Sequence, residues 1–170
     1  MLKKFLLIGI LLLFTQIGYS QLSKTHYIPP LTSSESGNAN PEDQYIYLST
    51  PSSTDITYTI KPVGQPASNY ISGVVSNATP KEISIGTGNG QLFVPSSTTS
   101  EVFSDKGYII EAEDVIYASV RMNAGGSAQA GALVSKGMTA LGKNFRVGTY
   151  TNQTPQTNYL NFVSVMATED

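Results

Sequence analysis

The chain has 170 residues, a formal net charge of −2, one histidine and no cysteine. Asp, Glu, Lys and Arg make up 13% of it, against about 25% in an ordinary domain, and no basic patch is present to attract nucleic acid. Without cysteine there is no disulfide framework, no cysteine nucleophile and no Cys-based zinc site. The polar load falls on Ser, Thr, Asn and Gln. Ten tyrosines and no tryptophan complete the composition of an extracellular β-protein with wet, uncharged surfaces.

Residues 1–20 have the three-part plan of a secretory signal peptide. Lys3 and Lys4 precede an apolar run from Phe5 to Phe14, and Gly18 and Ser20 supply the small residues of a cleavage site before Gln21. The run is too short for a membrane span, which needs about 20 apolar residues. Cleavage leaves about 150 residues, enough for one domain with a real core, and no transmembrane segment. The expected location is secreted, at the extracellular cell surface.

Residues 21–41 read as an extended N-terminal arm. Pro29-Pro30 favours extended backbone, and loop-formers run from Ser33 to Asn40. Tyr27 and Ile28 are candidates for an edge strand ahead of them. From residue 42 to 170 the pattern becomes short β runs. Tyr45 to Leu48 is apolar on both faces and is a candidate central strand. Ile56, Tyr58 and Ile60 alternate with threonines, which predicts a half-buried strand. Tyr70 to Val75, Ile83 with Ile85, and Gln91 to Val94 follow, with Gly86 to Gly90 as a hairpin loop between the last two.

Asp105-Lys106-Gly107 turns the chain into a strand from Tyr108 to Ala112. Glu113-Asp114 is expected to turn it again into Val115 to Met122, with Ile116 and Val120 inward. Phe145 and Val147 alternate in another predicted strand, also inward, and Tyr159 to Met166 makes a last one. Glycines at 131, 137 and 142 argue against a long helix between Ala128 and Leu141. Gly142 is expected at positive φ after one helical turn, with Met138 and Leu141 plugging the sheet edge. The expected fold is all-β, an antiparallel sandwich or barrel-like sheet.

Few residues suggest chemistry. A Ser-His-Asp group needs a histidine as proton shuttle, and the only one, His26, lies in the arm. Glu111 and Glu113, two apart, with Asp114 beside them, are candidates for an acid–base pair or a calcium site, since hard cations take clustered oxygens. A solvated, charged turn is the favoured alternative, because no other ligand-spaced acidic cluster supports them. The Gly86 to Gly90 loop is followed by Leu92-Phe93-Val94-Pro95 and not by a helix start, so it is no phosphate loop. No catalytic or cofactor-binding residue emerges, and an enzyme is not expected.

From Lys106 to Asp170 the chain resembles a known family. The tokens are Lys106-Gly107-Tyr108-Ile109-Ile110, Val115 to Arg121, Gln129 to Leu133, Lys136-Gly137, Ala140 to Gly148 and Met166 to Asp170. In this order they look like the N-terminal region of large surface proteins of gliding, Bacteroidetes-type bacteria, similar to the domain named after the IgGFc-binding protein N-terminus. The resemblance implies a β-rich module of a long adhesin-like protein, of a kind often exported by the type IX system. It also implies that the chain is a piece of a longer protein, because the strand at Tyr159 to Met166 and the turn after it would feed a further strand.

The expected function is therefore non-catalytic interaction or adhesion at a cell surface, with a protein or glycan as partner. The alternative is a carbohydrate-binding accessory module of a surface enzyme. Sugar sites need aromatic platforms, and Tyr108, Tyr117 and Tyr150 are the candidates.

Overall fold

The computed structural model describes residues 21–33, 39–126, 129–148 and 161–168. The signal-peptide segment, Tyr150 and the start of the strand expected at Tyr159 lie outside them. The fold is all-β, an antiparallel sheet that is nearly closed and barrel-like. Its strands are β1 (Ser23–Ile28), β2 (Leu31–Thr32), β3 (Pro41–Ser49), β4 (Ile56–Pro62), β5 (Ile71–Val75), β6 (Lys81–Gly86), β7 (Phe93–Val94), β8 (Tyr108–Ala124) and β9 (Gln129–Val134).

Strand β8, 17 residues long, is the spine. Its first half pairs with β1 and β4, and its second half with β3 and β9. Beyond them β5 pairs with β4 and β6 with β3. The even-numbered side chains of β8 point inward along both halves: Tyr108 and Ile110, then Ile116, Ala118 and Val120 are all buried. They meet Ile28 from β1, Ile46 and Leu48 from β3, and Ile56, Tyr58 and Ile60 from β4 in one core. The inward alternation of Ile56, Tyr58 and Ile60, and that of Ile116 and Val120, is as the sequence pattern requires.

Glu113-Asp114 does not end a strand. Opposite Ser23 and Thr25 of β1, the partner on β8 jumps from Ile116 to Glu111. Residues between them bulge out, and the strand bends from one half-sheet into the other. A bulge leaves carbonyls outside the ladder, and buried ones need partners. Two side chains supply them. The Thr50 hydroxyl donates to the Val115 carbonyl at 2.9 Å, and His26 donates to the Ile116 carbonyl at 2.9 Å. His26 is thus no arm residue: it sits in β1, fully buried.

Other expectations fail for identifiable reasons. The Gly86 to Gly90 segment is not a hairpin loop, because β7 pairs with β2, in parallel, and not with β6. Phe145 and Val147 are 61% and 60% exposed and outside any strand: alternation of residue types alone does not place a segment in a sheet. Residues 161–166 are likewise not a strand. The helical turn before Gly142 exists, at Gly137–Ala140, yet the positive φ belongs to Gly137 (54°) and not to Gly142. A Cβ at Gly137 would collide with the Ser23 side chain, so the turn's close approach to β1 sets the glycine requirement. Met138 and Leu141 are 53% and 40% exposed and do not join the buried core.

Candidate functional site: an outward tyrosine–arginine face

Alternation along β3 decides what its tyrosines do. Ile46 and Leu48 are buried, so Tyr45 and Tyr47 point away from the core, on the outer face of the sheet. Their ring centroids lie 6.3 Å apart with planes at 58°. In register, Tyr45 faces Arg121 and Tyr47 faces Ser119 on β8, while Ser84 and Glu82 oppose them on β6. The Arg121 guanidinium lies 5.1 Å from the Tyr47 ring centroid, a cation–π distance. The Tyr47 hydroxyl donates to the Glu82 carboxylate. That bond, more than any other influence, raises the phenol's pKa above its ordinary value. Tyr47 therefore stays a neutral hydrogen-bond donor, held between an arginine and a carboxylate.

The result is a half-exposed patch of planar groups on the middle strands of a sheet, where the backbone is fixed by pairing on both sides. Its two charges, Arg121 and Glu82, have opposite sign. Planar, rigid aromatic rings with an arginine among them are the side chains that carry binding energy at protein interfaces, and such rings are also the platforms against which sugars stack.

The aromatic candidates from sequence fare differently. Tyr108 is 3% exposed and part of the core. Its hydroxyl reaches the Ile85 carbonyl at 3.3 Å, and burial pushes its pKa up to about 12. It is unavailable to a ligand. Tyr117 lies on the outward face of β8, four residues before Arg121, and is half-buried. Tyr45 and Tyr47 escaped sequence reading because tyrosine counts as apolar in a strand that also holds Ile46 and Leu48. The signal that finds them is the strict alternation of tyrosine with aliphatic residues across Tyr45-Ile46-Tyr47-Leu48.

The acidic candidates do not converge. Glu111 pairs with Lys61 of β4. Asp114 lies 3.7 Å from the Lys24 ammonium, which also donates to the Glu113 carbonyl at 2.8 Å. These are solvated partnerships of the bulge and its neighbours. Among the described residues no group of three His, Asp or Glu side chains is placed to hold a metal ion, and no helix is long and apolar enough to cross a membrane.

His26 is occupied structurally. Its Nε2 faces two carbonyl oxygens, of Ile116 at 2.9 Å and Ser23 at 3.2 Å. Carbonyls only accept, so Nε2 carries the proton, and Nδ1 accepts from the Ser135 hydroxyl at 3.0 Å. Ser135 Oγ in turn accepts from the Gly137 amide at 3.3 Å. One ring ties β1, the bend of β8 and the turn after β9. Burial, its largest influence, lowers the imidazole pKa below 6.5, partly offset by the two carbonyls.

No family model matches the chain, and no curated protein or solved structure matches it either.

Proposed function

We propose that the chain is a non-catalytic, secreted interaction module of a bacterial cell surface, and that it engages its protein or glycan ligand through the face built by Tyr45, Tyr47 and Arg121. The observation that carries this reading is the outward presentation of those three residues on paired strands. Neither the core nor the ladder requires them, since the inward partners Ile46 and Leu48 already supply the burial. The leader-like residues 1–20 support export, and the tokens from Lys106 to Asp170 support a place in a large surface protein. The state of His26 supports the absence of catalysis: the one side chain suited to shuttle protons near neutral pH has both ring nitrogens bound within the fold.

The test is a binding screen of the purified chain against immobilised glycans and extracellular-matrix proteins. At least one partner is expected to bind wild type and to lose most of its signal with Tyr45→Ser/Tyr47→Ser. Binding that is indifferent to that double variant, while its melting curve stays intact, would move the ligand face elsewhere.

A further inference from the structure

We infer that a cleft beside the β2–β7 pair is a second site, one that takes a single neutral sugar unit. The cleft encloses about 250 Å³, just below the range of sites for drug-sized ligands, about 300–1,000 Å³, so its occupant is small. Among the described residues, four polar side chains line it, Thr32, Ser33, Asn123 and Gln129, and no charged one does. The remainder is apolar and includes Phe93 and Phe162.

Thr32 is only 7% exposed. Its Oγ1, and the neighbouring Ser33 Oγ, are buried without a hydrogen-bond partner. Buried hydroxyls are nearly always bonded, and valine would fill the same space as Thr32 without an unmet group. Two adjacent unmet hydroxyls on the wall of a cleft therefore point to a partner that comes from outside.

The lining selects that partner's chemistry. With no charge to pair, a carboxylate, phosphate or ammonium would be desolvated without compensation. A purely apolar ligand, or an apolar peptide side chain, would leave both hydroxyls as they are. A sugar ring combines apolar C–H faces with hydroxyl edges. Each of its hydroxyls both donates and accepts, as do Thr32 and Ser33, and the Asn123 and Gln129 amides offer donors and acceptors together. The site is separate from the tyrosine–arginine face. None of Tyr45, Tyr47 and Arg121 lines the cleft.

The experiment is a ¹H–¹⁵N NMR titration of the purified chain with glucose, galactose, mannose and N-acetylglucosamine in turn. At least one is expected to give saturable shifts at Thr32, Ser33, Asn123 and Gln129, with a Kd of about a millimolar, as suits a small single-site ligand. Thr32→Val should weaken that sugar about tenfold or more while leaving the melting temperature equal or higher. Phe145→Ala, at an exposed position outside the cleft, should bind it like wild type. The inference is overturned if none of the four sugars produces saturable shifts there, or if Thr32→Val binds as well as wild type. It is equally overturned if only an apolar probe, acetyl-Val-Leu-Val-amide, moves these signals, which would make the cleft a peptide site.

Discussion

Replacing His26 with alanine tests the junction on which the bent spine depends. The ring is fully buried and bonds three separate segments. Its removal strands the Ile116 carbonyl and the Ser135 hydroxyl, each at about 1–3 kcal/mol, and leaves a void where the ring was. The expected loss is about 3–6 kcal/mol, a large part of the 5–15 kcal/mol that holds an ordinary domain together. Urea melts followed by circular dichroism near pH 8 read this loss with histidine neutral in both states. The same residue imposes a pH dependence. Its folded pKa lies below 6.5, so below that pH the unfolded chain binds a proton that the folded chain refuses. Stability is therefore fully present above about pH 6.5 and falls as the pH drops through that value toward the folded pKa. His26→Gln should remove this component. A cost below about 1 kcal/mol for His26→Ala, or parallel wild-type and His26→Gln pH profiles between about pH 7 and 5, would refute the reasoning.

Further substitutions probe the rest of the fold. Ile110→Ala, fully buried between β1 and β4, should cost about 2–5 kcal/mol in urea melts; a cost under about 1 kcal/mol would contradict the central place given to β8. Phe145→Ala should change stability by less than about 0.5 kcal/mol, because the ring is largely in solvent; a loss of several kcal/mol would mean that the ring is buried in solution. Gly137→Ala should lower the melting temperature through both its positive φ and the collision with Ser23. Gly142→Ala should not, since only the exposed Phe145 ring stands in its way, at 3.2 Å. Equal effects of the two would overturn the assignment of the strained position.

Much of the fold was legible in the alternation of residues, and the failures share a physical cause. Ile56, Tyr58, Ile60, Ile116 and Val120 could be placed because a strand with one buried face repeats every second residue. The same rule misplaced Phe145 and Val147, since alternation describes a strand's faces and says nothing about whether an edge exists to receive it. Glu113-Asp114 looked like a turn because two adjacent charges break an apolar pattern. A bulge breaks it in the same way, and only the register against Ser23 and Thr25 separates the two. His26 looked like a loop residue beside Pro29 and Pro30; its buried role depends on Ile116 and Ser135, 90 and 109 residues away in the chain. Of the aromatic candidates, Tyr117 lies on the outward face of β8, while the proposed ligand face is built from others. Tyr45 and Tyr47 were hidden by their own amphipathic character, apolar enough for a core and polar enough for a surface.

The proposed ligand face is tested most directly at Arg121, whose side chain is exposed and bears on the Tyr47 ring. Surface plasmon resonance with a partner found in the screen compares wild type with Arg121→Ala. A central arginine or aromatic anchor typically costs 2 kcal/mol or more when truncated, so the variant should bind roughly 30-fold more weakly, with a melting temperature within about 3 °C of wild type. Unchanged affinity in a variant that remains fully folded would contradict the account.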